Sequence, residues 1–151
     1  EPAINSTYTL DNIQTWETLN NDTAKIMMGT GVYTTTVNMT KDEAKAKWAI
    51  NLGDVRESAR VYVNDNFVGC AWSVPFILDC KDAFKAGKNT LRIEVTNLPA
   101  NRISEMDRLG VKWRKFDEIN VVDINYKKTS YANWEAVKSG LNSDVTLLKL
   151  K

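Results

Sequence analysis

The sequence predicts an all-β fold, two antiparallel sheets packed face to face as a jelly-roll β-sandwich with one or two short helices in its loops. Three observations carry that prediction. Residues 59–64 alternate in character, with Ala59, Val61 and Val63 on one face and Arg60, Tyr62 and Asn64 on the other. Residues 91–96 repeat the pattern, Leu91, Ile93 and Val95 against Arg92, Glu94 and Thr96. Side chains on a strand point alternately to opposite faces, so both runs describe strands with one buried and one wet side. Finally, about eight such short runs occur along the chain, separated by turn-forming clusters.

Taken in order, residues 1–23 are polar around a few apolar anchors, Tyr8, Leu10, Ile13, Trp16 and Leu19. An edge strand is expected near residues 7–10, and Trp16 is expected to plug the rim of the core. Residues 25–28 read as a short extended piece, broken by Gly29-Thr30-Gly31. Residues 31–39, rich in Thr, Val and Tyr, read as a strong strand. The Gly-Thr-Gly precedes a strand rather than a helix and belongs to no phosphate-binding motif. After a charged connector, residues 47–52 form another strand with Trp48, Ile50 and Leu52 to one side.

Asn64-Asp65-Asn66 is a polar hairpin loop, and Gly69 is expected to break the returning run. Pro75 prevents regular pairing, so residues 71–75 read as a loop or an edge. Residues 81–85 form a short turn, capped by Asp79 or Asp82, and residues 86–89 turn into the strand that ends at Thr96. From Asn97 the period changes: Ile103, Met106 and Leu109 fall at helical spacing, so 101–109 is a short helix or an ordered loop. Residues 113–126 are a mixed stretch of loop and strand, residues 127–142 are polar, and 145–150 is a closing strand. With no linker or repeat, the 151 residues are read as one sandwich domain.

Composition excludes several classes of function. Twenty basic and nineteen acidic residues give a net charge of +1, so no basic field attracts nucleic acid or anionic lipid. No apolar run is long enough for a membrane span, and no signal peptide is seen. The start at Glu1-Pro2, without methionine, suggests an excised piece of a longer protein. The chain has no histidine, which removes Ser-His-Asp and Cys-His nucleophiles and His-based zinc sites. Cys70 and Cys80 would bond only if their Cα atoms came within about 7 Å; two small buried thiols are the favoured reading. No cofactor is implied, and a structural calcium has no motif behind it.

The stretch LGDVRESARVYVNDNFVG, with PFILDCKDAFKAGKNTLRIEVTN after it, resembles the galactose-binding-domain-like β-sandwich that accompanies glycoside hydrolases of family 2. The continuation NLPANRISEMDRLGVKW is more particularly similar to the C-terminal domain of bacterial α-L-rhamnosidase-type enzymes, family 106 and relatives. The likeness spans roughly residues 29–147. It implies a non-catalytic accessory domain of a larger, exported enzyme (periplasmic, cell-surface or secreted), with catalysis in a separate barrel and carbohydrate or the parent catalytic domain as partner. Asp65-Asn66 stands where such domains carry Asn-Gly, and Cys80 where they carry Thr or Val; both departures touch the framework.

Carbohydrate recognition needs a flat aromatic ring beside planar polar groups, because a sugar presents an apolar C–H face rimmed by hydroxyls. Trp72 in its Pro-containing loop and the group Asn97, Asn101, Arg102, Asp107 and Trp113 are the candidates. Each has a plain structural alternative: Arg102 and Asp107 pinning a loop, Trp113 filling core, Trp134 sealing the sandwich near the C-terminus. Glycoside hydrolysis by the chain itself would need two suitably spaced carboxylates. Glu105 and Asp107 are the pair to consider, with ordinary surface carboxylates as the favoured reading.

Overall fold

The computed structural model describes residues 6–115, 124, 125 and 127–151. Nine strands are seen among them. A four-stranded antiparallel sheet runs in the order β1 (Thr30–Met39), β7 (Gly87–Thr96), β4 (Ser58–Val63) and β5 (Asn66–Ala71). Facing it is a three-stranded sheet in the order β6 (Ile77–Lys81), β2 (Trp48–Asn51) and β9 (Thr146–Lys149). A small pair, β3 (Val55–Arg56) with β8 (Gly140–Leu141), sits at one end. The two sheets make the expected sandwich.

The alternating residues form its core. Val61, Val63 and Val95 are fully buried, with Ala59, Leu91 and Ile93 beside them and Ile50 and Leu52 opposite. Phe76, Phe84 and Leu141 extend the same cluster. Burying an aliphatic side chain of this size is worth about 1.5–3 kcal/mol, so this double row supplies most of the driving force. At the β4–β5 hairpin both Asn64 and Asp65 have positive φ, 50° and 64°. Two consecutive left-handed residues are what the tight type I′ turn demands, and Asn and Asp tolerate that region better than other non-glycine residues.

Four local expectations are corrected. Residues 7–10 join no sheet, although Thr7 to Leu10 alternate as a strand would. Of residues 25–28 only the second half is outside a helix: α1 (Asp22–Ile26) takes Lys25 and Ile26, capped by Asn21 accepting from the amides of Thr23 (2.9 Å) and Ala24 (3.3 Å), and the chain turns extended at Met27. Gly69 does not end its strand, though the register shifts beside it: β5 continues through it, Val61 pairs with Gly69 and Tyr62 with Phe67, and a side chain at Gly69 would press on Leu78 of the facing sheet. Cys70 is exposed and Cys80 buried, both as free thiols, because Cys70 lies opposite Arg60 on the outer face of the sheet.

The stretch at 101–109 is a helix, α2 (Ala100–Arg108). It ends in a Schellman motif: Val111 N–H donates to Met106 O (2.8 Å) and Gly110 N–H to Asp107 O (3.1 Å). Gly110 has φ +67°, the left-handed position that ending requires. Trp16 is the expected plug at 5% exposure. Of the 113–126 stretch, residues 116–123 and 126 lie outside the described residues.

Candidate functional site

Strand register gathers the candidate residues at one end of the four-stranded sheet. Ala71 pairs with Ala59, Ser58 with Thr96, and Thr96 with Thr30. Trp72 therefore leaves β5 beside the start of β4, and Asn97 leaves β7 beside the start of β1. Trp72 is 77% exposed and Val74 79% exposed, with a cis Val74–Pro75 bond and then Phe76 buried as the anchor that returns the chain to the core. An exposed indole on a loop between two strands is a ready surface for a sugar face or for another protein surface.

The same end carries polar groups that sequence reasoning missed. Arg56 makes an ion pair with Asp54 (2.8 Å), and Glu57 N–H donates to Thr96 O (2.8 Å). Their sequence, DVRE, shows only alternating charge. These residues run directly into the start of β4, and nothing in that sequence reveals that the pairing of Ala59 with Ala71 brings this start beside Trp72.

The residues of the 97–114 group are differently employed. Asn97 ties three segments together: it accepts from Gly29 N–H (2.9 Å) and donates to Met27 O (3.1 Å) and Ser139 Oγ (3.0 Å). Asn101, 6% exposed, exchanges two 2.8 Å bonds with the peptide of Val137, its amide oxygen accepting and its amide nitrogen donating. Both side chains act as substitutes for missing backbone partners, which is how a buried irregular segment stays satisfied. Arg102 and Asp107 do not pair.

Asp107 instead accepts from Tyr131 N–H (2.8 Å) and from the Trp113 indole N–H. The Tyr131 bond first, then the Trp113 bond, holds its carboxyl below the usual aspartate range, with Arg114 and Lys128 adding attraction. Trp113 is half-buried and packs near Tyr131, ring centres 6.1 Å apart; Tyr131 in turn lies 4.4 Å from Trp134. The Arg114 guanidinium sits over both Trp113 (5.0 Å) and Tyr131 (4.8 Å). Trp134 is 54% exposed and does not seal the sandwich. A cavity of about 280 Å³ opens beside this cluster, lined by Lys112, Trp113, Arg114 and Lys128 among others.

Glu105 is paired with Arg108, and both oxygens of Asp107 are engaged, so neither is presented as a free acid or base. Among the described residues no group of three His, Cys, Asp or Glu side chains is placed to hold a metal. Among the described residues, no helix is long and apolar enough to cross a membrane.

Residues 13–139 match the family described as the glycosyl hydrolase 2 galactose-binding domain-like family. A protein of Formosa agariphila named "Putative beta-glucuronidase" is 33% identical over 107 residues, covering 70% of this chain and 9% of that protein. The solved structure of the rhamnosidase from Novosphingobium sp. PP1Y matches with a TM-score of 0.70 at 26% identity, over 91% of this chain and 12% of that one. The chain spans about a tenth of the length of each relative.

Proposed function

The chain belongs to the glycosyl hydrolase 2 galactose-binding domain-like family, and from that premise we propose that it is a non-catalytic accessory β-sandwich of a large glycoside hydrolase of the α-L-rhamnosidase type, in contact with carbohydrate. The observation that carries this reading is Trp72: 77% exposed, framed by strands, and set at a sheet end with Arg56, Asp54 and Glu57. A ring so placed contributes little to the core and is available to a ligand. The likeness to the rhamnosidase over 91% of the chain supports the enzyme type. Export of the parent enzyme belongs to the same proposal, as does independence from a cofactor: EDTA is expected to leave the melting temperature unchanged.

A second reading has its own support. Leu98, Leu109 and Val111 flank α2 and are 49%, 64% and 48% exposed, apolar surface suited to packing against another part of a longer chain. On that reading the domain braces a catalytic domain and meets no sugar.

A glycan array probed with the isolated domain separates the two. Binding that disappears in Trp72→Ala, with the circular dichroism spectrum intact, supports carbohydrate contact at the sheet end. Loss in Trp113→Ala alone would move the site to the Tyr131 cluster. No binding across plant and microbial polysaccharides would favour the bracing role.

A further inference from the structure

The four-stranded sheet has an outer face that the core does not use, and strand register lays out its side chains in rows. Phe67 pairs with Tyr62, Tyr62 with Arg92 and Arg92 with Thr34. One row closer to Trp72, Cys70 pairs with Arg60, Arg60 with Glu94 and Glu94 with Val32. Alternation carries the same face on to Trp72, which follows the inward Ala71. Phe67 is 60% exposed, so an aromatic ring stands open at each end of this run.

The charge of the face is one-sided. The four strands contain the cations Arg60, Lys88 and Arg92, and Glu94 as their one acid, although the chain as a whole is balanced. Glu94 is already taken: Arg92 pairs with it and lays its guanidinium over the Tyr62 ring, 3.8 Å from the centre. Tyr62 packs in turn against Phe67, ring centres 5.4 Å apart. These contacts hold the side chains before a ligand arrives, so little ordering is left to oppose binding. Arg60 lies beside them, exposed, and among the described residues it makes no ion pair or side-chain hydrogen bond.

Arg60 stands between Phe67 and Trp72. Four residue steps along β4, from Tyr62 to Ser58, separate the rows of those two rings, about 13 Å at about 3.3 Å per residue. That is the reach of a short oligosaccharide. The rings suit the C–H faces of sugars, and the planar guanidinium between them matches the fork of a carboxylate. We propose that the outer face of the four-stranded sheet binds an acidic glycan, a chain of uronate sugars lying from Trp72 across Arg60 to Phe67. This rests on the carbohydrate-binding reading above and narrows it to anionic chains. Nucleic acid fits less well, since it needs a line of cations to follow its phosphates, and between the two rings β4 and β5 supply Arg60 alone.

The test is isothermal titration calorimetry of the 151-residue chain with oligogalacturonate, the same oligosaccharide methyl-esterified, and single-stranded DNA of similar length. Oligogalacturonate is expected to bind with an affinity that falls as salt is added. The ester, similar in shape but uncharged, is expected to bind at least about tenfold more weakly. Arg60→Gln is expected to weaken oligogalacturonate binding at least about tenfold, Arg60→Lys less, and Phe67→Ala severalfold, all with an unchanged circular dichroism spectrum. Lys45→Gln, which removes the same charge outside this sheet, is expected to change nothing. Acid and ester bound alike, or Arg60→Gln and Phe67→Ala both without effect, overturn the inference and leave Trp72 as a carbohydrate site. Neutral glycans bound without oligogalacturonate do the same, and DNA bound as tightly as oligogalacturonate overturns the glycan as occupant. No glycan bound at all overturns this inference and the carbohydrate reading together.

Discussion

At the scale of single residues, three asparagines, two buried and one half-buried, hold backbone that no sheet satisfies. Asn89 is fully buried. Its amide oxygen accepts from Asn64 Nδ2 (2.8 Å) and Lys85 N–H (2.9 Å), and its amide nitrogen donates to Lys85 O (2.7 Å) and Gly87 O (3.0 Å). Asn89→Ala leaves several of these groups buried and unpaired, and chemical denaturation is expected to show a loss of about 3 kcal/mol. Asn97 and Asn101 do the same work elsewhere, which is why two residues suited to a sugar are occupied internally. The two cysteines make a second case. Burial raises the Cys80 thiol to about 11, whereas Cys70 is exposed. Ellman's reagent at neutral pH is expected to titrate one thiol in the folded protein and two in denaturant.

At the scale of elements, the loops after α2 and before β8 are latched rather than packed. Tyr33 on β1 accepts from the Trp16 indole N–H (2.7 Å) and from Leu141 N–H (3.1 Å), and burial raises its phenol above the ordinary range. Gly140, at φ +90°, fits beneath this latch; a Cβ there would run into the Trp16 ring and the Tyr33 hydroxyl. Gly140→Ala is expected to cost at least about 2 kcal/mol, partly backbone and partly collision, read as a lower melting temperature. Asp107 latches the other loop. Its pKa is depressed in the fold, so its contribution is complete above the ordinary aspartate value and is lost as pH falls through the lower, folded one. The NMR signal of the Trp113 indole N–H is expected to titrate with a midpoint below 3.8, and Asp107→Asn is expected to abolish that titration.

At the scale of the whole molecule, the sandwich and its candidate surface are separable. Trp72 is 77% exposed, and changes at such sites are ordinarily within about 0.5 kcal/mol. Trp72→Ala is therefore expected to leave the unfolding midpoint in place whatever it does to glycan binding. A core change on the same sheet, Val61→Ala, is expected to cost about 2–3 kcal/mol, since it empties a fully buried position.

What was legible in the sequence follows from period. Residues 59–63 and 91–95 alternate, a one-residue slip would expose every one of their apolar side chains, and so faces and core were determined locally. Helix α2 was legible for the same reason, as one of two readings: the spacing of Ile103, Met106 and Leu109 allowed a helix or an ordered loop, and the structure has the helix. Residues 7–10 were misread because alternation reports which way side chains would point, not whether a partner strand is within reach. Cys70 was misread because a small residue in a strand shows neither face. The candidate site was harder still. Trp72 stood out by its loop, but Asp54, Arg56 and Glu57 came to its end of the sheet only through strand pairing. Likewise Asp107 was committed to Tyr131, 24 residues on, and Asn101 to Val137, 36 residues on. The sequence by itself determined the two faces of each strand, since that depends on neighbours two residues apart. Only the tertiary structure decided which polar side chains are spent on the fold and which indole is left to the surface, because hydrogen-bond partners are assigned by contacts between distant segments.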